Sequence, residues 1–418
     1  MNVIVIGAGV IGLSTAYFLT QRGASVTVID SAACVGDGAS FANGGMITPS
    51  MSEPWNAPGV LLDVVKSLGN DAAPFLLRPK AIPSLLTWGP KFLKESSKKR
   101  FETNSIRNFK MASFSNRILS VMSRDLQLDF QQDDVGTAKI FRNTKSFENS
   151  IVRSEFLAKE GLKFSVLTRD EVLNIEPALE GSGDTIVGAI RYPGDQSGNA
   201  KAFCESLTDV LAKQGVRFVL GESVIDFIHS SNTVSGVQTD KNTFKAEKVV
   251  ISAGAYSALL TKKVGIKLPV KPVKGYSLTL DKKGWNDSPS MPIVDDELHA
   301  AVTPLGNTIR VAGTAEMTGF DASLTQSRID NLFSLLLNIY PSYSQYLNKN
   351  EANPWTGFRA VSASGVPIIG NTPVKNLYLN TGHGHLGWTM AAGSGKFLAE
   401  LIYGEQTELD PSLFSYQH

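Results

Sequence analysis

The stretch TGHGHLGWTMAAGSGK, Thr381 to Lys396, gathers five glycines, two histidines and a tryptophan into sixteen positions. Three chemistries use such residues: a metal held by His383 and His385, a phosphate held by the terminal Gly-Ser-Gly-Lys, or one wall of a larger cofactor site. Spacing separates them. A metal site needs three or more ligands, and no third partner is near in sequence, with His229 and His299 isolated. A phosphate loop needs G-x-x-x-x-G-K-[ST] after a strand, whereas Gly395-Lys396 is followed by Phe397 inside a helical pattern. Lys396 therefore reads as a solvated helix residue. No metal is expected, and the cofactor wall remains.

The partner for such a wall is at the N-terminus. In NVIVIGAGVIGLSTAYFLTQRGASVTVID the apolar run Val3–Ile6 reads as a strand buried on both faces. Gly7-Ala8-Gly9-Val10-Ile11-Gly12 follows, then an amphipathic stretch to about Gln21, then a second strand, SVTVID, ending at Asp30. Gly7 permits a tight turn, Gly9 lets the backbone approach a pyrophosphate, and Gly12 allows close helix–strand packing. The helix start offers N–H groups and positive charge to phosphates, and Asp30 is spaced to bind a ribose hydroxyl. An acid there argues against a 2′-phosphate, and so against NADP.

Regular strand–helix alternation stops after Asp30, unlike the pattern of an NAD dehydrogenase. Instead Gly36–Ser50, GDGASFANGGMITPS, is rich in small residues that let backbone approach an extended cofactor. Two later segments return to the first style. Ala246–Leu260 runs from an apolar strand through Ala-Gly-Ala into a helix. Near the C-terminus a strand from Leu377 to Asn380, a Gly-rich turn and a helix from about Thr389 to Ile402 follow one another. Each sets a strand's C-terminal end beside a helix's N-terminal end, where ligands bind in open α/β sheets. The expected dinucleotide is FAD, its pyrophosphate on Gly7–Gly12 and its flavin at the GHGHLGWTM turn.

With VIVIGAGVIGLSTAYFL, SFANGGMITPSMSEPWNAPGV, PVKGYSLTL, WTGFRAVSASGVPIIG and LYLNTGHGHLGWTMAAGSG, the chain resembles the D-amino-acid oxidase superfamily of FAD-dependent oxidoreductases, and within it bacterial D-amino acid dehydrogenases. The resemblance runs nearly end to end. It implies a Rossmann-like α/β FAD-binding domain interleaved with an α+β, antiparallel-sheet substrate domain. Residues 1–58, 189–264 and 352–418 would form the first domain, and 59–188 and 265–351 the second. The alternation in KPVKGYSLTL, HAAVTPLG and NTIRVAGTAEM, followed by the amphipathic SRIDNLFSLLLNIY, agrees.

The implied chemistry is oxidation of a D-amino acid to an imino acid, with hydride passing from Cα to flavin N5, and hydrolysis to a 2-oxo acid and ammonia. A planar guanidinium suits the substrate carboxylate. Arg359, in WTGFRAVSASG, matches a W-x-G-x-R-P segment of relatives, with Ala360 where proline is usual. Tyr276 and His299 either line the pocket or pack in the sheet, and His385 is expected beside flavin or substrate. The expected FAD contacts are Gly7, Gly9, Val10, Ile11, Gly12 and Asp30 at the fingerprint, and Ser40, Asn43, Gly44, Gly45 and Met46 in the small-residue loop. Val224, Ala253 and Gly254, then Gly384, Gly387, Trp388 and Thr389, complete them. No cysteine lies in the C-terminal stretch where some relatives attach flavin, so FAD is expected to be non-covalent. Cys34 reads as inert packing.

Lys+Arg 40 against Asp+Glu 39 leave no basic excess for a nucleic-acid surface. Cys34 and Cys204 alone make no disulfide framework, which fits a reducing cytoplasm. Residues 59–100 are unusual: Leu61, Leu62, Val64, Val65, Phe75, Leu76, Leu77, Leu85, Leu86, Trp88 and Phe92 are trailed by Lys91, Lys94, Lys98, Lys99 and Arg100. Periodicity reads them as helices packed on the substrate domain. The resemblance adds a peripheral inner-membrane contact and electron transfer to a quinone or other acceptor. Alternatives are an oxidase using O2, an imino-acid (proline or hydroxyproline) enzyme, and a non-catalytic flavoprotein subunit.

Overall fold

The computed structural model describes residues 1–61 and 73–416. The apolar runs that open the chain form strands of a six-stranded sheet, in the order Ile368–Asn371, Leu377–Thr381, Lys248–Ile251, Asn2–Ile6, Ser25–Asp30 and Arg217–Leu220. All its pairs are parallel except the first. This parallel sheet is covered on both faces, as its unalternating Val and Ile runs demand. On one face, helices Val10–Thr20 and Gly387–Tyr403 pack together, flanked by Ala200–Lys213 and Lys98–Leu126.

Their closeness explains the C-terminal glycines. A Cβ on Gly393 would lie 2.6 Å from Ser115 Cα, and one on Gly395 would lie 2.7 Å from the Ser14 carbonyl carbon. Gly-Ser-Gly-Lys is thus a helix-packing stripe. Lys396, expected in solvent, is half-buried instead, paired with Glu400 one turn on and over the Phe114 ring.

A nine-stranded, largely antiparallel sheet stands beside this layer. Its long strands are Val270–Asp281, Thr308–Met317 and Asn353–Ser362, with Ala300–Leu305 next to them. Helix Gln326–Ile339 closes one face through Leu332, Leu336 and Ile339. The α/β and antiparallel layers thus match the expected fold class.

Sheet membership does not follow the expected domain limits everywhere. Strand Gly188–Tyr192, assigned beyond its first residue to the FAD-binding part, and strand Asn353–Ser362, assigned there whole, hydrogen-bond into the large sheet. Helix Lys98–Leu126, assigned to the substrate part, packs on helix Gly387–Tyr403. Composition cannot reveal such crossings, because they depend on pairing between distant segments.

Candidate functional site

A cavity of about 1780 Å³ runs between the two sheets. At one end are the glycines of the first turn. Gly7 has φ +114° and donates its N–H to the Ile29 carbonyl; a Cβ there would lie 2.5 Å from the Ser252 carbonyl oxygen. A Cβ on Gly12 would lie 1.8 Å from the Gly7 carbonyl oxygen, so that position tolerates hydrogen alone. Gly12 is packing, as its sequence role requires, and does not itself line the cavity.

Helix Val10–Thr20 begins without a side-chain cap at Gly9, although Val10 donates its N–H to Ser40 Oγ at 3.2 Å. Its first turn therefore still presents backbone donors to the cavity. Asp30 accepts from the Ala8 N–H at 2.6 Å and the Ala32 N–H at 2.8 Å, which fixes its carboxylate on the cavity wall.

The small-residue loop is pinned from the large sheet. Ser277 Oγ donates to the Ala42 carbonyl at 2.6 Å, and Thr303 Oγ1 donates to the Gly44 carbonyl at 2.7 Å. Ser40, Asn43, Gly44 and Met46 line the cavity, as do Gly9, Val10, Ile11, Val224, Ala253, Gly254, Gly384 and Gly387. Besides Gly12, two expected contacts do not. Gly45 (φ +69°) is turned against Leu305, and Thr389 Oγ1 accepts from the Thr48 N–H inside the core. Trp388 reaches the wall, yet its indole donates to the Gly198 carbonyl and packs on Phe130 and Phe203.

Three observations suit this cleft to an extended dinucleotide: glycines where any side chain would clash, uncapped donors at a helix start, and orphaned polar atoms. Ser252 Oγ and Asn380 Oδ1, both buried residues of the wall, have no partner in the protein. Neither Cys34 nor Cys204 lines it. Cys34 is exposed on a turn, contrary to the packed reading, and burial raises the Cys204 thiol.

At the other end is Arg359. Among the described residues its guanidinium has no carboxylate partner, and its single hydrogen bond goes from Nη1 to the Thr314 carbonyl at 3.5 Å. Burial lowers its pKa to about 10, which still leaves it charged at neutral pH. Gly275, opposite Gly357 in the neighbouring strand, leaves it room: a Cβ there would lie 2.0 Å from Nη1. Trp55 supports it, with the guanidinium carbon 5.5 Å from the indole centroid. His385 stacks on the same indole at 5.5 Å with planes 10° apart.

His385 Nε2 is 3.0 Å from the Met51 carbonyl. A carbonyl only accepts, so Nε2 carries the hydrogen and Nδ1 of the neutral ring is an acceptor. Burial pushes its pKa down to about 4, opposed by that bond and aided by Arg359. His383 is 5% exposed with Nε2 unpartnered, and burial pushes it down to about 3. The two histidines do not converge, and among the described residues no group of three His, Cys, Asp or Glu could hold a metal ion.

Of the two residues that the sequence left open, Tyr276 both lines the cavity and is packed in the sheet. Side chains alternate along a strand, so Tyr276 faces away from Val273, the residue opposite Arg359. Its hydroxyl donates to Glu316 Oε2 at 2.7 Å, within the core under helix Gln326–Ile339. His299 lines the cavity from an exposed turn with φ +49°.

Sequence reasoning missed Trp55, Gly275 and Thr314. Thr314 is the extra residue of a bulge, opposite no residue of the strand Val270–Asp281, with φ +59° and Oγ1 unpartnered. A β-branched residue there is strained, and the bulge turns its carbonyl toward Arg359. Trp55 stands in a stretch that carried the family resemblance. So does Gly275, in PVKGYSLTL, whereas Thr314 had no local signal.

Comparison with known proteins agrees with this geometry. The model of the family DAO, FAD dependent oxidoreductase, matches residues 2–401. The D-amino acid dehydrogenase of Vibrio atlanticus is 37% identical over 409 residues, covering 98% of this chain and 97% of its own length. That of Allorhizobium ampelinum is 37% identical over 410 residues, covering 98% and 96%. Among solved structures, glycine oxidase from Bacillus cereus superposes with a TM-score of 0.77 at 23% identity, covering 100% of this chain and 99% of its own. L-proline dehydrogenase from P. horikoshii gives 0.76 at 20%, covering 99% and 96%. The chain belongs to the family of FAD-dependent oxidoreductases.

Proposed function

From that membership we propose that the protein oxidatively deaminates D-amino acids to 2-oxo acids and ammonia. The observation that carries the reading is Arg359, a guanidinium on the cavity wall with no carboxylate partner among the described residues and a fork suited to an incoming one. Bound FAD supplies a two-electron acceptor, held by the glycine turn, Asp30 and the pinned loop without a covalent link.

Arg359 anchors the substrate carboxylate, Trp55 holds the guanidinium plane, and the neutral His385 adds no competing positive charge beside it. His385 Nδ1 is an acceptor for the substrate amine, and His299 lies on the entry side. The D preference rests on the names of the relatives at 37% identity.

Electrons then leave to a quinone or other acceptor at a membrane surface. Leu61, Ile82, Leu86 and Leu93 are exposed beside Lys91, Lys94, Lys98, Lys99 and Arg100, a combination that suits an anionic lipid surface. Leu76 and Trp88 turn inward instead, and Leu62, Val64 and Val65 lie outside the described residues. No helix among the described residues is long and apolar enough to cross a membrane.

Ammonia and 2-oxo acid release, assayed with D- and L-amino acids against a soluble quinone and against O2, tests the reading. Release from D substrates with the quinone is expected. Release from L substrates alone, or from cyclic imino acids alone, would overturn it, and peroxide formation at an equal rate would replace the dehydrogenase by an oxidase.

A further inference from the structure

The sheet face that carries Arg359 continues across three more strands without another charge on the cavity wall. Arg359 is opposite Val273; two residues on, Gly275 is opposite Ala315, and the parallel strand Phe75–Leu77 sets Phe75 opposite Ala315 and Leu77 opposite Met317. Opposed residues share a face, so Val273, Gly275, Ala315, Met317, Phe75 and Leu77 form one floor beginning at the guanidinium. All six line the cavity. Four strands at about 4.8 Å spacing make that floor roughly 14 Å across. Leu85, Trp88 and Phe92 roof it and belong to the same apolar cluster. Elsewhere on the wall Arg153 pairs with Glu53 and Lys139 with Asp296.

We infer that this arm receives the substrate's side chain, and that the preferred substrates carry long or bulky apolar ones. The inference rests on the proposed function. A carboxylate gripped by Arg359 has its Cα substituent only two bonds from the carboxylate carbon, and the wall next to the clamp is this floor. Apolar atoms gain by leaving water there, and a charged side chain loses its hydration with no partner to replace it.

The test is kcat/KM for D-alanine, D-2-aminobutyrate, D-norvaline, D-norleucine, D-lysine and D-aspartate with the FAD-loaded wild-type protein. The expected result is a rise of about fourfold per added methylene, the value of burying one, with the two charged substrates below D-alanine. Leu77→Asp should lower the D-norleucine to D-alanine ratio at least tenfold. A flat or falling series overturns the inference, as does a Leu77→Asp protein that keeps the ratio while raising KM for a soluble quinone, since the arm would then hold the acceptor. The wild-type series needs no variant to fold. If no D-amino acid is turned over at all, the proposed function fails; turnover of D-alanine without the length effect removes the arm alone.

Discussion

The Arg359 guanidinium fills the space that a side chain on Gly275 would need. A Cβ at Gly275 would lie 2.0 Å from Nη1 and 2.5 Å from Cζ, although the two residues are 84 positions apart. The absence of one side chain seats another.

Gly275→Ala should therefore displace the clamp while sparing the FAD end of the cavity. Misplacing a binding group by about 1 Å costs up to about 10²-fold in rate. The variant should bind FAD normally and lose about that much in kcat/KM for D-amino acids. Unchanged kinetics would mean that Arg359 is not the anchor.

Arg359 itself should be irreplaceable by another cation. Truncating one side of a buried charged pair costs about 2–5 kcal/mol, or roughly 30- to 5,000-fold. Arg359→Ala should fall in that range. Arg359→Lys should recover only part, since an ammonium cannot form the two parallel bonds of a fork. Both should keep the flavin spectrum, and equal activity in the lysine variant would argue against a bidentate carboxylate.

Gly12→Ala puts a methyl 1.8 Å from the Gly7 carbonyl oxygen. The helix must shift away from its strand, and the variant should be purified with little or no FAD. Full FAD content at wild-type affinity would contradict the role given to this turn.

The fingerprint was legible because its information is local: three glycines and an acid at set spacing within one strand–helix–strand unit. Arg359 was found by motif. Gly275 and Thr314 were not, because their importance comes from register between strands far apart in the chain, nor was Trp55, which meets Arg359 from a bend distant in the chain. A strand pattern likewise could not say which face Tyr276 would take. Its partners, Glu316 and helix Gln326–Ile339, belong to other segments. The Gly-Ser-Gly of the last helix resembled a ligand loop until Ser14 and Ser115 were seen against it.

The two buried histidines make acid destabilising. Burial pushes His383 down to about 3 and His385 to about 4 from 6.5, so the fold binds fewer protons than the unfolded chain across that interval. Their contribution is full above pH 6.5 and is lost as pH falls. Asp195, raised by burial from 3.8 to about 6, acts oppositely, stabilising at low pH and losing that as pH rises through 6. Glu176, also raised by burial, acts with Asp195, so the histidines are unopposed only from pH 6.5 towards 6, and there stability should fall on acidification by about 1.4 kcal/mol per unit for each net proton taken up. Thermal unfolding of the holoprotein against pH checks it. His383→Asn should flatten the slope, and a slope of opposite sign would mean that the histidines are protonated in the fold.

The most direct test of the whole account is the visible spectrum of the wild-type protein, purified with FAD and kept anaerobic, as amino acids are added. L-amino acids should leave the flavin band unchanged. D-amino acids should bleach it, and in Arg359→Ala the bleaching should need far higher concentrations. A yellow protein that no D-amino acid reduces, or that Arg359→Ala leaves equally reducible, would contradict the account.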